Sequence, residues 1–217
     1  MRTLLAAPFL LVILLGACSS REYVKPADRE WISFRFFLFA EMGEEKFHGS
    51  GDAVLEPGRN FRFRVYDNLL NARLFDFSAD PDGKIEIADY TEKTVLRRFD
   101  VNLGKALSEG LPLFFRDATA DDLSRAVPAE AVETAGSRLA SARFVAGKSS
   151  VTLSVTARNP DGRPRTVSLE SGPNRLTLDI SEYGAGDFTA ESAGFPVRVD
   201  MSETPFLEWL GEAYAGR

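Results

Sequence analysis

The sequence predicts a mainly β domain with a few helices: a curled antiparallel half-barrel of about ten strands, capped by helices over an apolar cavity. Three observations point there. Apolar residues recur at every second position in one segment after another, the side-chain period of a strand with one dry face. Short turn signals, above all Pro-Asp-Gly at 81–83 and 160–162, separate those segments closely enough to make neighbours antiparallel. Helical spacing occurs in only two or three places, so a sheet with one apolar face must close on itself or curl under a small cap.

The chain opens with Arg2, an apolar run from Leu4 to Leu15 interrupted only by Pro8, and then small residues. This is the pattern of a secretory signal peptide over residues 1–17, too short for a comfortable membrane span. Leu15-Gly16-Ala17-Cys18 resembles a bacterial lipobox, in which cleavage precedes the cysteine and the cysteine is acylated. The alternative is an ordinary signal peptide with a chance cysteine. Cys18 is the chain's only cysteine, and a lone secreted thiol has no disulfide partner, which favours the lipobox. The resemblance implies a protein anchored to a membrane through acylated Cys18, with residues 18–30 as its tether. Ser19, by likeness to enteric lipoproteins, implies the outer membrane and a domain facing the periplasm. Residues 31–217 then form a single domain, and no second long apolar run occurs. The formal net charge of −6 does not suit nucleic acid.

Ser33 to Glu41 carries Phe34, Phe36, Leu38 and Ala40 on the same face as Ile32 just before it, while Arg35, Phe37 and Phe39 on the other suggest a strand covered on both sides for part of its length. Glu45 to Glu56 alternates Phe47, Gly49, Gly51, Ala53 and Leu55, and Pro57-Gly58 ends it. Asn60 to Asp67 is the cleanest alternation, with Phe61, Phe63 and Val65 opposite Arg62, Arg64 and Tyr66. Arg73 to Ala79, with Phe75 and Phe77, and Lys84 to Tyr90, with Ile85 and Ile87, are joined by Asp80-Pro81-Asp82-Gly83, which fits a type I turn with a glycine bulge. Asp80 and Asp82 imitate the start of a calcium loop, but Lys84 and Ile85 stand where a ligand and the glycine belong. Asn159-Pro160-Asp161-Gly162 repeats the device, and Ser171-Gly172-Pro173-Asn174 joins the next pair of strands.

Val101 to Leu111 has Asn102 as a candidate cap and Leu103, Leu107 and Leu111 at helical spacing. Thr119-Ala120-Asp121-Asp122 reads as the capped start of a helix to about Ala126, stopped by Pro128. Near the C-terminus, Phe206, Leu207, Trp209 and Leu210 read as a short amphipathic helix that packs on the sheet or faces lipid or a partner.

Between two strands stands Asn68-Leu69-Leu70-Asn71, a hairpin tip where polar residues are the rule. Leu69 and Leu70 either pack on a neighbouring loop, which is worth roughly 3–6 kcal/mol, or meet a membrane or partner, or the strand boundary lies elsewhere.

The order of lipobox, tether, aromatic strand, glycine-containing strand, FRFRVYD and RLFDFSAD across an apolar tip, DPDGKIEIADY and the leucine helix VNLGKALSEGLPLFF resembles the periplasmic lipoprotein carriers LolA and LolB. The resemblance covers most of residues 31–200 in topology. It implies an unclosed antiparallel barrel with a helical lid over a hydrophobic cavity, an acyl chain, lipid or lipoprotein as ligand, and a protruding leucine loop, whose place residues 68–71 occupy. No counterpart to the family's tryptophan-containing second strand is present, and residues 116–147 do not align. The cavity candidates are Phe34, Phe36, Leu38, Phe61, Phe63, Val65, Phe75, Phe77, Ile85, Ile87, Leu103 and Leu107, each of which serves equally as ordinary core.

Catalysis has little support. His48 is the only histidine and sits in a predicted strand, Cys18 is consumed by lipid, and Gly49-Ser50-Gly51 is only a fragment of a nucleophile elbow. Neither a catalytic residue, a metal site nor a cofactor is expected. The functional expectation is a non-enzymatic lipoprotein that binds or transfers an acyl chain. The alternative is a scaffold or assembly lipoprotein that binds a periplasmic protein partner.

Overall fold

The structure, a computed structural model, describes residues 31–56, 58–146, 148–184, 197–200 and 204–212. The signal-peptide, tether and Cys18 readings lie outside the described residues.

One sheet holds twelve described strands: β1 (Ile32–Met42), β2 (Glu45–Glu56), β3 (Asn60–Tyr66), β4 (Arg73–Ala79), β5 (Lys84–Asp89), β6 (Thr94–Phe99), β7 (Ala129–Ala135), β8 (Arg138–Ala146), β9 (Ser149–Arg158), β10 (Pro164–Ser171), β11 (Asn174–Tyr183) and β12 (Val197–Asp200). Their order is β12-β6-β5-β4-β3-β2-β1-β11-β10-β9-β8-β7, so β7 and β12 are edges and the sheet is not closed. Every described pairing is antiparallel except β12 with β6. This is the curled half-barrel that the alternation predicts, two strands larger. The strands hardest to read in the sequence are β6 and β7, which mix polar residues into both faces and carry a weak period.

Register gathers the apolar positions into rows across the sheet. Phe34 pairs with Ala53, Ala53 with Phe63, Phe63 with Phe77, Phe77 with Ile87 and Ile87 with Leu96. The next row runs Phe36, Gly51, Val65 and Phe75. Small residues on β2 face large ones on β1 because the rings lean across: a Cβ on Gly51 would stand 2.5 Å from the Phe36 ring and 2.1 Å from the Arg64 carbonyl oxygen. On the other side of β1, Leu38 pairs with Leu178, and Leu178 with Val167. The outer face of β1 is not covered as the sequence suggests: Phe37 and Phe39 are 48% and 41% exposed.

The first helical stretch begins as α1 (Val101–Lys105), passes through a π-helical turn, Ala106–Gly110, and ends as α2 (Leu111–Leu113). Its cap is Asp100, not Asn102; the Asp100 carboxylate accepts from the Leu103 backbone N–H at 3.0 Å. The π turn precedes Pro112, which has no N–H for the Ser108 carbonyl one turn back; that carbonyl accepts from Gly58 N–H in the β2–β3 turn instead. Close approach fixes the other end. Asp100 N–H donates to the Gly83 carbonyl at 2.8 Å, and a Cβ on Gly104 would lie 2.4 Å from the Asp80 carbonyl oxygen, so only glycine lets α1 sit on the β4–β5 turn. That turn has the bulged form expected, with Gly83 at φ 96°, and the 159–162 turn repeats it with Gly162 at φ 87°.

Helix α3 (Ala120–Ala126) has the predicted start, a capping box in which Thr119 and Asp122 satisfy each other's backbone N–H. Helix α4 (Phe206–Glu212) buries Phe206, Leu207, Trp209 and Leu210, so its apolar face belongs to the core and not to lipid. The Phe206 and Trp209 rings lie 5.9 Å and 6.5 Å from that of Phe77.

One buried ion pair ties these parts. Arg98, at an inward position of β6, pairs with Asp100 at 3.2 Å and also donates to the Thr204 carbonyl just before α4. Removing one partner of a buried pair leaves the other charge uncompensated, so Arg98→Ala is expected to lower unfolding stability by about 3–5 kcal/mol. Denaturant unfolding checks it; a change below about 1 kcal/mol would mean that the pair does not hold α1 and α4 together.

Candidate functional site

All twelve interior candidates fall in one buried core: Phe34, Phe36 and Leu38 from β1, Phe61, Phe63 and Val65 from β3, Phe75 and Phe77 from β4, Ile85 and Ile87 from β5, and Leu103 and Leu107 from the helical stretch. Alternation puts the strand residues on the concave face, and helical spacing turns the two leucines to meet them. The rings are in direct contact. Phe63 and Phe77 stack with centroids 4.7 Å apart and planes inclined by 13°, and Phe36 meets Phe63 edge-on at 6.1 Å. A methylene chain is too thick to lie between rings so placed. An acyl chain enters this interior only if side chains or a covering helix move. Leu111, Phe114, Phe206 and Trp209 belong to the same core. The sequence shows these four as apolar without showing which end of the sheet they close.

Leu69 and Leu70 stand apart. They are 94% and 79% exposed, so the intramolecular packing alternative is not what the tip does. The turn itself is rigidly made: the Asp67 carboxylate accepts from both Leu69 N–H and Leu70 N–H at 2.8 Å, Asn71 N–H donates to the Asp67 carbonyl, and Asn71 takes φ 50°. Polar residues thus do the turning, and the leucines are carried outward.

Register fixes where the tip lies. Ile32 pairs with Leu55, and Leu55 with Phe61, so these residues share the end of the sheet at which the described chain begins. β3 runs away from that end to Tyr66, and roughly 3.3 Å per residue carries the tip beyond the level of Phe61 by on the order of 20 Å. The leucines therefore sit at the far end. The helical stretch from α1 to α2, bound to the β4–β5 and β2–β3 turns, closes the near end. His48 is exposed on β2 at the tip end, edge-on to Phe39 with centroids 5.1 Å apart.

Among the described residues, the interior candidates line neither of two surface pockets. One, of about 330 Å³, lies on the polar outer side of β7, β8 and β9. The other, of about 400 Å³, opens at the near end of the sheet between the start of β1, the segment after α2, the start of β10 and the end of β11.

No family model matches the chain, and no curated protein matches it in sequence. Solved structures are similar to it in fold. A LolA superfamily protein from Nitrosomonas europaea is 11% identical with a TM-score of 0.47, over 75% of this chain and 89% of that one. A DUF1329 family protein from Desulfovibrio piger is 10% identical with a TM-score of 0.42, over 86% and 95%. An uncharacterized conserved protein from Thermus thermophilus is 10% identical with a TM-score of 0.35, over 78% and 90%.

Because the leucines bury nothing within the chain, Leu69→Glu with Leu70→Glu is expected to leave unfolding stability within about 0.5 kcal/mol of the parent. A loss of 2 kcal/mol or more in thermal or denaturant unfolding would place them back in the fold.

Proposed function

We propose that this protein is a non-enzymatic, membrane-tethered lipoprotein that takes an acyl chain, of a lipid or of another lipoprotein, into the space between its half-barrel and helices. The observation that carries the reading is the pair of leucines held in water by a turn made of Asp67 and Asn71. Exposing two leucines forgoes roughly 3–6 kcal/mol of burial, and the fold gains nothing from them in return.

Acylated Cys18 anchors the chain at the periplasmic face of the outer membrane, and residues 18–30 span at most roughly 45 Å when fully extended. The tether joins the domain at the near end of the sheet. The leucine tip, at the far end, points away from the anchoring bilayer when the domain stands upright on its tether, and reaches that bilayer when the domain lies over. It meets an incoming cargo or carrier in the first posture and delivers an acyl chain in the second. Burial of apolar area drives uptake, and displacement of the helical stretch at 101–113 or of α4 opens the interior.

The ring packing favours a second reading. If the interior stays filled, the tip and the exposed Phe37 and Phe39 are surfaces for a periplasmic protein, and the protein is an assembly scaffold.

Native mass spectrometry of the mature full-length chain, released from nonionic detergent after expression in a bacterial periplasm, separates the two. The carrier reading expects a stoichiometric phospholipid or acylated species. It also expects Leu69→Glu with Leu70→Glu to slow transfer to acceptor vesicles about tenfold, with binding unchanged. A clean apo mass together with no vesicle transfer would overturn it in favour of the scaffold.

A further inference from the structure

The pocket at the near end of the sheet combines two chemistries. Trp31, Phe115 and Tyr183 provide aromatic walls, and Arg116 and Arg163 provide guanidinium groups. The floor is fixed by stacking: Phe115 lies parallel to Phe34, centroids 5.1 Å apart, and meets Tyr183 at 6.4 Å. Tyr183 is held by donating its hydroxyl to the Pro164 carbonyl, and burial keeps that hydroxyl protonated well above the usual tyrosine range. The Arg163 guanidinium rests over the Tyr183 ring at 5.2 Å. Its carboxylate neighbour, Asp161, is 3.7 Å away with both side chains more than half exposed, a pair of little strength.

The surroundings are cationic on a chain that is acidic overall. Arg158 lies just inside and donates to the carbonyls of Phe114 at 3.3 Å, Gly162 at 2.8 Å and Leu139 at 2.6 Å. Arg138 stands beside it and pairs with Asp117 at 2.8 Å. Burial first, and the Arg138 charge second, pull Arg158 below the ordinary arginine value, a sign of cations crowded at one corner. A pocket with aromatic walls and guanidinium groups at its edge suits a ligand with an acidic head and an apolar body.

We propose that this pocket binds an anionic amphiphile, with a phosphate-ester headgroup against Arg116 and Arg163 and the first part of its acyl chain against Trp31, Phe115 and Tyr183. Guanidinium groups bind phosphate oxygens through charge-assisted, often paired hydrogen bonds, and a pocket of about 400 Å³ is in the range of small-molecule sites. The site lies outside the interior core and operates whether or not that core opens.

The test is a titration of the mature full-length chain in nonionic detergent with dihexanoylphosphatidylglycerol, dihexanoylphosphatidylcholine and inorganic phosphate, read by native mass spectrometry and by Trp31 emission against Trp31→Phe. The glycerol lipid is expected to bind about tenfold more tightly than the choline lipid, and both more tightly than phosphate. Arg116→Gln with Arg163→Gln is expected to erase the preference between the two lipids, while Arg163→Lys keeps most of it. Equal affinity for the two lipids in the parent protein, a comparison that needs no variant, would overturn the proposal. So would a preference that survives the double substitution. Phosphate alone binding as tightly as the glycerol lipid would overturn the amphiphile and leave a site for a free anion. Any of these results leaves acyl-chain uptake by the interior, and the transfer it would support, to be decided on their own measurements.

Discussion

Phenyl rings filling the concave side of an open sheet are the constraint on which the rest of this molecule depends. Few helices are available to cover twelve described strands, so the strands must supply most of their own core. They do so by pairing large with small across the register. Ala53 and Gly51 on β2 leave room for the rings of Phe34 and Phe36, and Phe63 and Phe77 then stack over the next two strands. Trp209 and Phe206 complete the same cluster from α4. A side chain at Gly51 would meet both a ring and a backbone carbonyl, which makes the curl of the sheet and the placement of its rings a single arrangement.

The two ends of the sheet follow different chemistry. At the near end, polar backbone ties dominate: Asp100 caps α1, Gly83 accepts from Asp100, and the Ser108 carbonyl set loose by Pro112 is taken up by Gly58. The helical lid is thus joined to the turns beneath it by short, specific bonds and glycine contacts. At the far end the turn is equally specific, but what it holds out is apolar. That asymmetry gives the domain a direction, with a closed base at the end where the described chain begins and an exposed apolar tip opposite. A function that needs the interior must break ties at the base or lift α4, whereas one that uses only the surface leaves them intact.

Much of this was legible in the sequence, and the exceptions have physical reasons. Alternation placed Phe61, Phe63 and Val65 inside and Arg62 outside because one side of β3 meets a core and the other meets water. The Pro-Asp-Gly turns and the Thr119 capping box were readable because their chemistry is local. Asp100 was missed in favour of Asn102, since either can cap a helix and only the Gly83 contact decides where this one starts. Phe37 and Phe39 suggested a covered outer face, but apolar content alone does not say whether anything lies over a strand. The exposure of Leu69 and Leu70 depended on whether a neighbouring loop reaches them, and the aromatic–arginine pocket gathers residues from four distant segments; neither is written in local periodicity.

The central claim is that a packed resting core opens by moving its helices and not by parting its strands. Hydrogen-exchange mass spectrometry of the full chain, with and without a bound acyl ligand, tests this most directly. Loading is predicted to strip protection from the amides of residues 101–113 or 206–212 while β1 to β4 stay protected. A loaded protein in which both helical segments exchange as slowly as in the empty one would contradict the account.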